Sequence, residues 1–143
     1  MILINGPIKP EFIKSCISKF EKQTDTGAHA SFIGQVRADI VEGKKVKEIE
    51  YSAYDEMVEK EVGNIKSNVF SKYPELTNID IYHSVGTVKA GEISLLVFIA
   101  SRHRKPLFMA LHDTIELIKE HLPVWKKEIF HDNSHIWTNN EEK

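Results

Sequence analysis

What most constrains this chain is a set of strand-like runs that alternate at a period of two, arranged as neighbours between single amphipathic helical stripes. In residues 46–54, Ile49, Tyr51 and Ala53 oppose Glu48, Glu50 and Ser52, the pattern of a strand with one buried face. Residues 79–85 place Ile79, Ile81 and His83 on one face. Lys89-Ala90-Gly91-Glu92 then reads as a hairpin turn into the apolar run 93–100. Residues 28–36 and 124–130 form further strand-like runs, and 134–137 a short last one. Turns this short cannot hold the crossover that a parallel pair needs, so the sheet is antiparallel or mixed.

Three stretches repeat apolar residues at helical spacing. Residues 10–22 carry Phe12, Ile13, Cys16, Ile17 and Phe20, and residues 55–73 carry Met57, Val58, Val62, Ile65, Val69 and Tyr73. Residues 106–122 carry Leu107, Ala110, Leu111, Ile115, Ile118 and Leu122. Asp55 reads as a cap and Pro74 as a stop, while Pro106 suits a first turn and Pro123 ends the third helix. The order β-α-β-β-α-β-β-α-β-β gives an α+β class with three main helices. With no repeat and no Gly, Pro or Ser-rich linker, residues 1–143 read as one domain.

Composition narrows the function classes. A hydrophobic content of 41% supports a real core, and a net charge of -2 supplies no global basic field for nucleic acid. Any anion site must therefore be a local cluster. The single cysteine, Cys16, excludes an internal disulfide and sits in the first helical stripe as a small buried hydrophobe. No apolar stretch approaches the roughly 20 residues that cross a bilayer, and the N-terminal run is too short for a signal-peptide core. These features point to a soluble, cytoplasmic protein that does not engage a membrane. The seven histidines show no paired ligand spacing; His131 and His135 are four apart, but the Asp-Asn-Ser between them reads as a loop, so no metal site is expected. Nothing in the sequence calls for a cofactor.

Three stretches can carry chemistry. Ser101-Arg102-His103-Arg104-Lys105-Pro106 packs four basic or titratable side chains where a strand ends and a helix begins. Cations at a helix N-terminus oppose the dipole, which makes sense if an anion binds between them and the free N–H groups; the alternative is a solvated basic turn. In the stretch from Lys119 to Glu128, Lys119 suits the helix C-terminus by charge alone. Lys126 and Glu128 share one strand face, against Trp125 and Lys127 on the other. That arrangement fits either a surface ladder or a site, and a reversal at Pro123 lets Lys119 and Lys126 converge. In Phe32-Ile33-Gly34-Gln35-Val36-Arg37, the strand glycine marks a bulge or a close approach. Arg37 there is either a plain surface residue or a fork for phosphate or carboxylate.

Taken together and in this order, these pieces resemble the large subunit of molybdopterin synthase, the MoaE family. The resemblance also rests on Ile49-Glu50-Tyr51 leading to Tyr54 and Met57, on His83-Ser84-Val85-Gly86, and on Pro123-Val124-Trp125-Lys126-Lys127-Glu128. It runs from near the first helix to about Trp137. It departs at Gln35, where a basic residue is common, and at Ile136, where an Arg often precedes the Trp.

The resemblance implies an α/β-hammerhead fold, a homodimer, and a heterotetramer in which each end of the dimer binds a small ubiquitin-like sulfur-carrier subunit. That partner's C-terminal Gly-Gly thiocarboxylate enters the large subunit and sulfurates cyclic pyranopterin monophosphate to the dithiolene of molybdopterin. The implied catalytic residues are Lys119, acting at the reacting centre, and Lys126 second. Arg37, His103 and Arg104 would bind anions and Glu128 would position Lys126. Gln35, Val36 and Lys127 belong to the implied substrate-binding set, and Phe32 and Met109 would shape the pocket. A non-catalytic binding module is the competing class, opposed by the presence of both lysines and His103-Arg104. An RNA-binding α+β domain is opposed by the charge and by the lack of an aromatic-basic strand motif.

Overall fold

Val58, Val62, Ile65 and Val69 are all buried, at the spacing that lines one face of a helix. That helix is α2 (Asp55–Lys72). The computed structural model describes residues 2–138, so Met1 and residues 139–143 of the expected 1–143 domain lie outside the described residues. Around α2 the chain runs β1 (Leu3–Asn5), α1 (Pro10–Phe20), β2 (Ala28–Gln35), β3 (Ile40–Val41) and β4 (Lys44–Ala53). After it come β5 (Leu76–Lys89), β6 (Ile93–Ser101), α3 (Leu107–His121), β7 (Val124–Phe130) and β8 (His135–Thr138). The architecture is α+β with three helices, as the sequence implies.

The strands form one sheet in the order β2-β6-β5-β4-β7-β8, antiparallel along that path; β1 joins β5 in parallel and β3 folds back on β4. β6 is buried on both faces. Leu95, Val97 and Ile99 meet the core under α2 and α3, while Leu96, Phe98 and Ala100 meet α1 through Cys16 and Phe20. A strand covered on both sides reads as a continuous apolar run.

β5 changes partner along its length, pairing with β6 from Leu76 to His83 and with β4 from Gly86 to Lys89. Gly86 at the switch has φ of 81°, which favours glycine, and an added Cβ would stand 2.9 Å from Asn5 Oδ1.

Four local expectations need correction. Tyr54, in extended backbone, is the N-cap of α2; Asp55 lies inside the first turn, where its charge suits the dipole without capping a backbone N–H. Pro106 is likewise the N-cap residue of α3 and not its first turn. Ile17 and Met57 are exposed although the stripes include them, because each helix turns a narrower face to the sheet. The short strand β3 has too few residues to show a period.

Candidate active site

β2 ends in a register shift between Gly34 and Gln35. A Cβ on Gly34 would press within 3.2 Å of Leu95 Cβ and 3.3 Å of the Phe32 ring, so glycine lets strand and ring pack together. Beyond the bulge the Val36 N–H donates to the Glu92 carbonyl at 3.0 Å, and the Gly91 N–H donates to the Val36 carbonyl at 2.7 Å. Gln35 Nε2 donates to the Gly91 carbonyl at 2.8 Å. The β5–β6 turn thus fixes the backbone that presents Arg37.

A cavity of about 370 Å³ opens beside this point, lined by Phe32, Gln35, Val36, Arg37, Asp39, Tyr51, His83, Ser94, Lys119 and Lys126 among others. Arg37 is exposed at the rim, its Nε 3.3 Å from Asp39 Oδ1. Lys119 comes from the last turn of α3. Burial, then the nearby Arg37 charge, holds its pKa below the ordinary lysine value, against an opposing pull from Glu116. Lys126 comes from β7 and is 5% exposed; Glu128, two residues on along the same face, is 1% exposed. These burials set aside the surface-ladder alternative. Tyr51 lies opposite Lys126 in the β4–β7 register and donates its hydroxyl toward Ser94 Oγ at 3.1 Å. The His83 ring meets the Tyr51 ring edge to face at 5.0 Å. Its Nδ1 lies 2.8 Å from the Ser84 carbonyl oxygen. Burial above all, with help from the Lys119 and Lys126 charges, lowers the His83 pKa to about 4.

The chain therefore brings Phe32, Gln35, Val36, Arg37, Lys119 and Lys126 around one cavity. Lys127 sits on the opposite face of β7, 3.6 Å from Glu50 and over the Trp137 ring. His103 and Arg104 do not join the cavity within one chain. With Arg102 and Lys105 they are exposed in the turn after β6, around a separate shallow depression next to Gly27 and Ala28, and His103 pairs with Glu75. Ala28 pairs with Ser101 at one end of β2 and Gln35 with Ile93 at the other, so about 20–25 Å separates the clusters. Met109 is exposed in the first turn of α3 and is not among the residues that line the cavity. Sequence reasoning gave no role to Tyr51, His83 or Ser94. Tyr51 and His83 carried a signal, since each falls on the buried face of an alternating strand.

Chemically, the cavity offers an arginine fork at its mouth, a lysine whose neutral amine is accessible at lower pH than usual, and a second buried lysine. That set suits an anionic substrate and an acyl or proton-transfer step. Among the described residues, no group of His, Cys, Asp and Glu is arranged to hold a metal ion, and no helix is long and apolar enough to cross a membrane.

Comparison with known proteins bears on the family and the fold. A Drosophila melanogaster protein named molybdopterin synthase catalytic subunit is 37% identical over 141 residues, covering 98% of this chain and 37% of that protein. The chain thus spans little more than a third of that relative's length. A structure of molybdopterin synthase from Staphylococcus aureus superposes with a TM-score of 0.81 at 31% identity, covering 96% of each chain. A protein–protein complex of subunits 1 and 2 of molybdopterin-converting factor from Helicobacter pylori shares the fold, with a TM-score of 0.80 at 20% identity over 96% of this chain and 88% of that one. The MoaE protein family model matches residues 5–121, and by that match over most of its length the chain belongs to the MoaE family.

Proposed function

We propose that this chain is the catalytic subunit of a molybdopterin synthase. It would transfer sulfur from the C-terminal thiocarboxylate of a small ubiquitin-like carrier to cyclic pyranopterin monophosphate. The observation that carries the reading is the convergence of Lys119, from the end of α3, and Lys126, from β7, on one cavity with Arg37 at its mouth. The carrier tail and the pterin phosphate are both anions, and Arg37 is suited to either.

In this reading the thiocarboxylate sulfur attacks a carbon of the pterin side chain, forming a carbon–sulfur bond as a carbon–oxygen bond at that carbon breaks and its oxygen leaves with a proton, so that the carrier is joined through a thioester. Water then cleaves the acyl–sulfur bond, so that the thiol stays on the pterin and the carrier leaves as a carboxylate. A second carrier supplies the second sulfur. Lys119 acts at the acyl centre, where its lowered pKa makes a neutral amine available for proton transfer or for attack. Lys126 holds developing negative charge, and Glu128 shares its face of β7. Phe32 forms part of the apolar wall.

The working form in this reading is a cytoplasmic homodimer with one small subunit at each end. The separation of His103 and Arg104 from the lysines supports a dimer, because a second copy is the simplest source of those cations at the cavity. Exposed Phe108 and Met109 lie beside that basic turn, and exposed Tyr54, Trp125 and Trp137 line another groove at the β7–β8 edge. Both are apolar surfaces of the kind that partners cover. The Helicobacter pylori relative was solved as a complex of two subunits, which supports a small partner here. The test is to mix the chain with a thiocarboxylated Gly-Gly carrier and cyclic pyranopterin monophosphate and to assay dithiolene. Product is expected. Carrier binding without product would favour the inactive binding module.

A further inference from the structure

His83 lines the cavity, yet the reaction outlined above gives it no task. It is 5% exposed and is held by the edge of the Tyr51 ring. The Ser84 carbonyl oxygen 2.8 Å from its Nδ1 can only accept a hydrogen bond, so Nδ1 carries the proton and donates. That fixes the tautomer and leaves Nε2 as a lone-pair acceptor, the polar atom His83 has left for the space it lines. The ring stays neutral at physiological pH, since burial and then the two lysine charges hold its pKa near 4. Arg37, Lys119 and Lys126 around the same space can only donate when charged. A neutral lone pair does nothing for a phosphate or a carboxylate, which it repels. It matches an N–H or O–H donor.

We propose that His83 Nε2 accepts a hydrogen bond from an N–H of the substrate's heterocycle, making His83 a specificity-determining residue that separates a ring-bearing phosphate from phosphate alone. This rests on the pterin reading of the cavity. Under it, Arg37 holds the charged end of the ligand and His83 reads the ring.

The test is calorimetric titration of the full chain with cyclic pyranopterin monophosphate and, separately, with inorganic phosphate. His83→Asn keeps a donor near the Ser84 carbonyl and removes the Nε2 acceptor. His83→Gln extends a carbonyl oxygen toward the position of Nε2. His83→Asn is expected to weaken pterin binding by up to about tenfold, the worth of one hydrogen bond, with phosphate binding unchanged. His83→Gln is expected to recover most of that loss. A wild-type chain that binds the pterin no better than phosphate would remove the pterin reading and this inference with it. A wild type that prefers the pterin, beside a His83→Asn variant that does so equally, would overturn the role of His83 alone. Equal loss of both ligands in His83→Asn would also overturn it, by showing that the imidazole merely shapes the cavity.

Discussion

In the last turn of α3, Lys119 complements the helix dipole and also faces a cavity that holds Lys126 and lies beside Arg37. The dipole alone explains a cation there, but it does not explain partial burial beside another cation. Because Arg37 is the second cause of the lowered Lys119 pKa, Arg37→Ala should move that pKa upward. The pH at which an acylating reagent labels Lys119, mapped by mass spectrometry, should rise in the variant; an unchanged profile would separate the two residues electrostatically. His83 gives a second residue-level prediction. Its pKa falls from 6.5 to about 4 on folding, so between these values the unfolded chain binds a proton that the folded chain does not. The stability His83 contributes is complete above pH 6.5 and is lost as pH falls to about 4. The loss is about 3 kcal/mol if the full shift is expressed. Denaturant unfolding across that window should show this slope in the wild type and lose it in His83→Gln.

At the scale of elements, β5 depends on its change of partner at Gly86. Gly86→Ala meets both a left-handed backbone and Asn5 Oδ1, and should cost about 1–3 kcal/mol. Adding Asn5→Ala relieves the contact but not the backbone strain, so the double variant should recover only part of the loss in chemical denaturation. Full recovery would show that the backbone there is unstrained. The same strand shows what the sequence could and could not reveal. Alternation exposed the buried faces of β4 and β5, and the apolar run of β6 marked a strand covered on both sides. The reversal at Pro123 made the meeting of Lys119 and Lys126 legible, because a helix end and the following strand are forced together. Tyr51 and His83 were placed on buried faces correctly, but which strands neighbour one another is set by long-range pairing that no local period records. Only that pairing puts both rings beside Lys126. His103 and Arg104 were grouped with the lysines by resemblance, and the length of β2 keeps them apart in one chain.

That separation becomes a prediction for the whole molecule. The chain should run as a homodimer of about 33 kDa, twice 16.4 kDa, in light scattering at micromolar concentration, and a clean monomer there would count against the assembly. If the second copy supplies the distant cations, Lys119→Ala and Arg104→Ala should each lack turnover alone yet regain part of it when the two are mixed and allowed to exchange, since a mixed dimer holds one complete site. No recovery on mixing, with exchange verified, would place both residues in the site of a single chain. The central claim is that Lys119 does chemistry that its charge alone cannot do. It is tested most directly by dithiolene formation in Lys119→Arg, with the thiocarboxylated carrier and cyclic pyranopterin monophosphate present. Arginine keeps the charge and the helix propensity, but it stays protonated and cannot offer a neutral amine. The variant should fold, dimerise and bind the carrier while losing nearly all product formation; turnover close to wild type would contradict both proton transfer and covalent attack by Lys119.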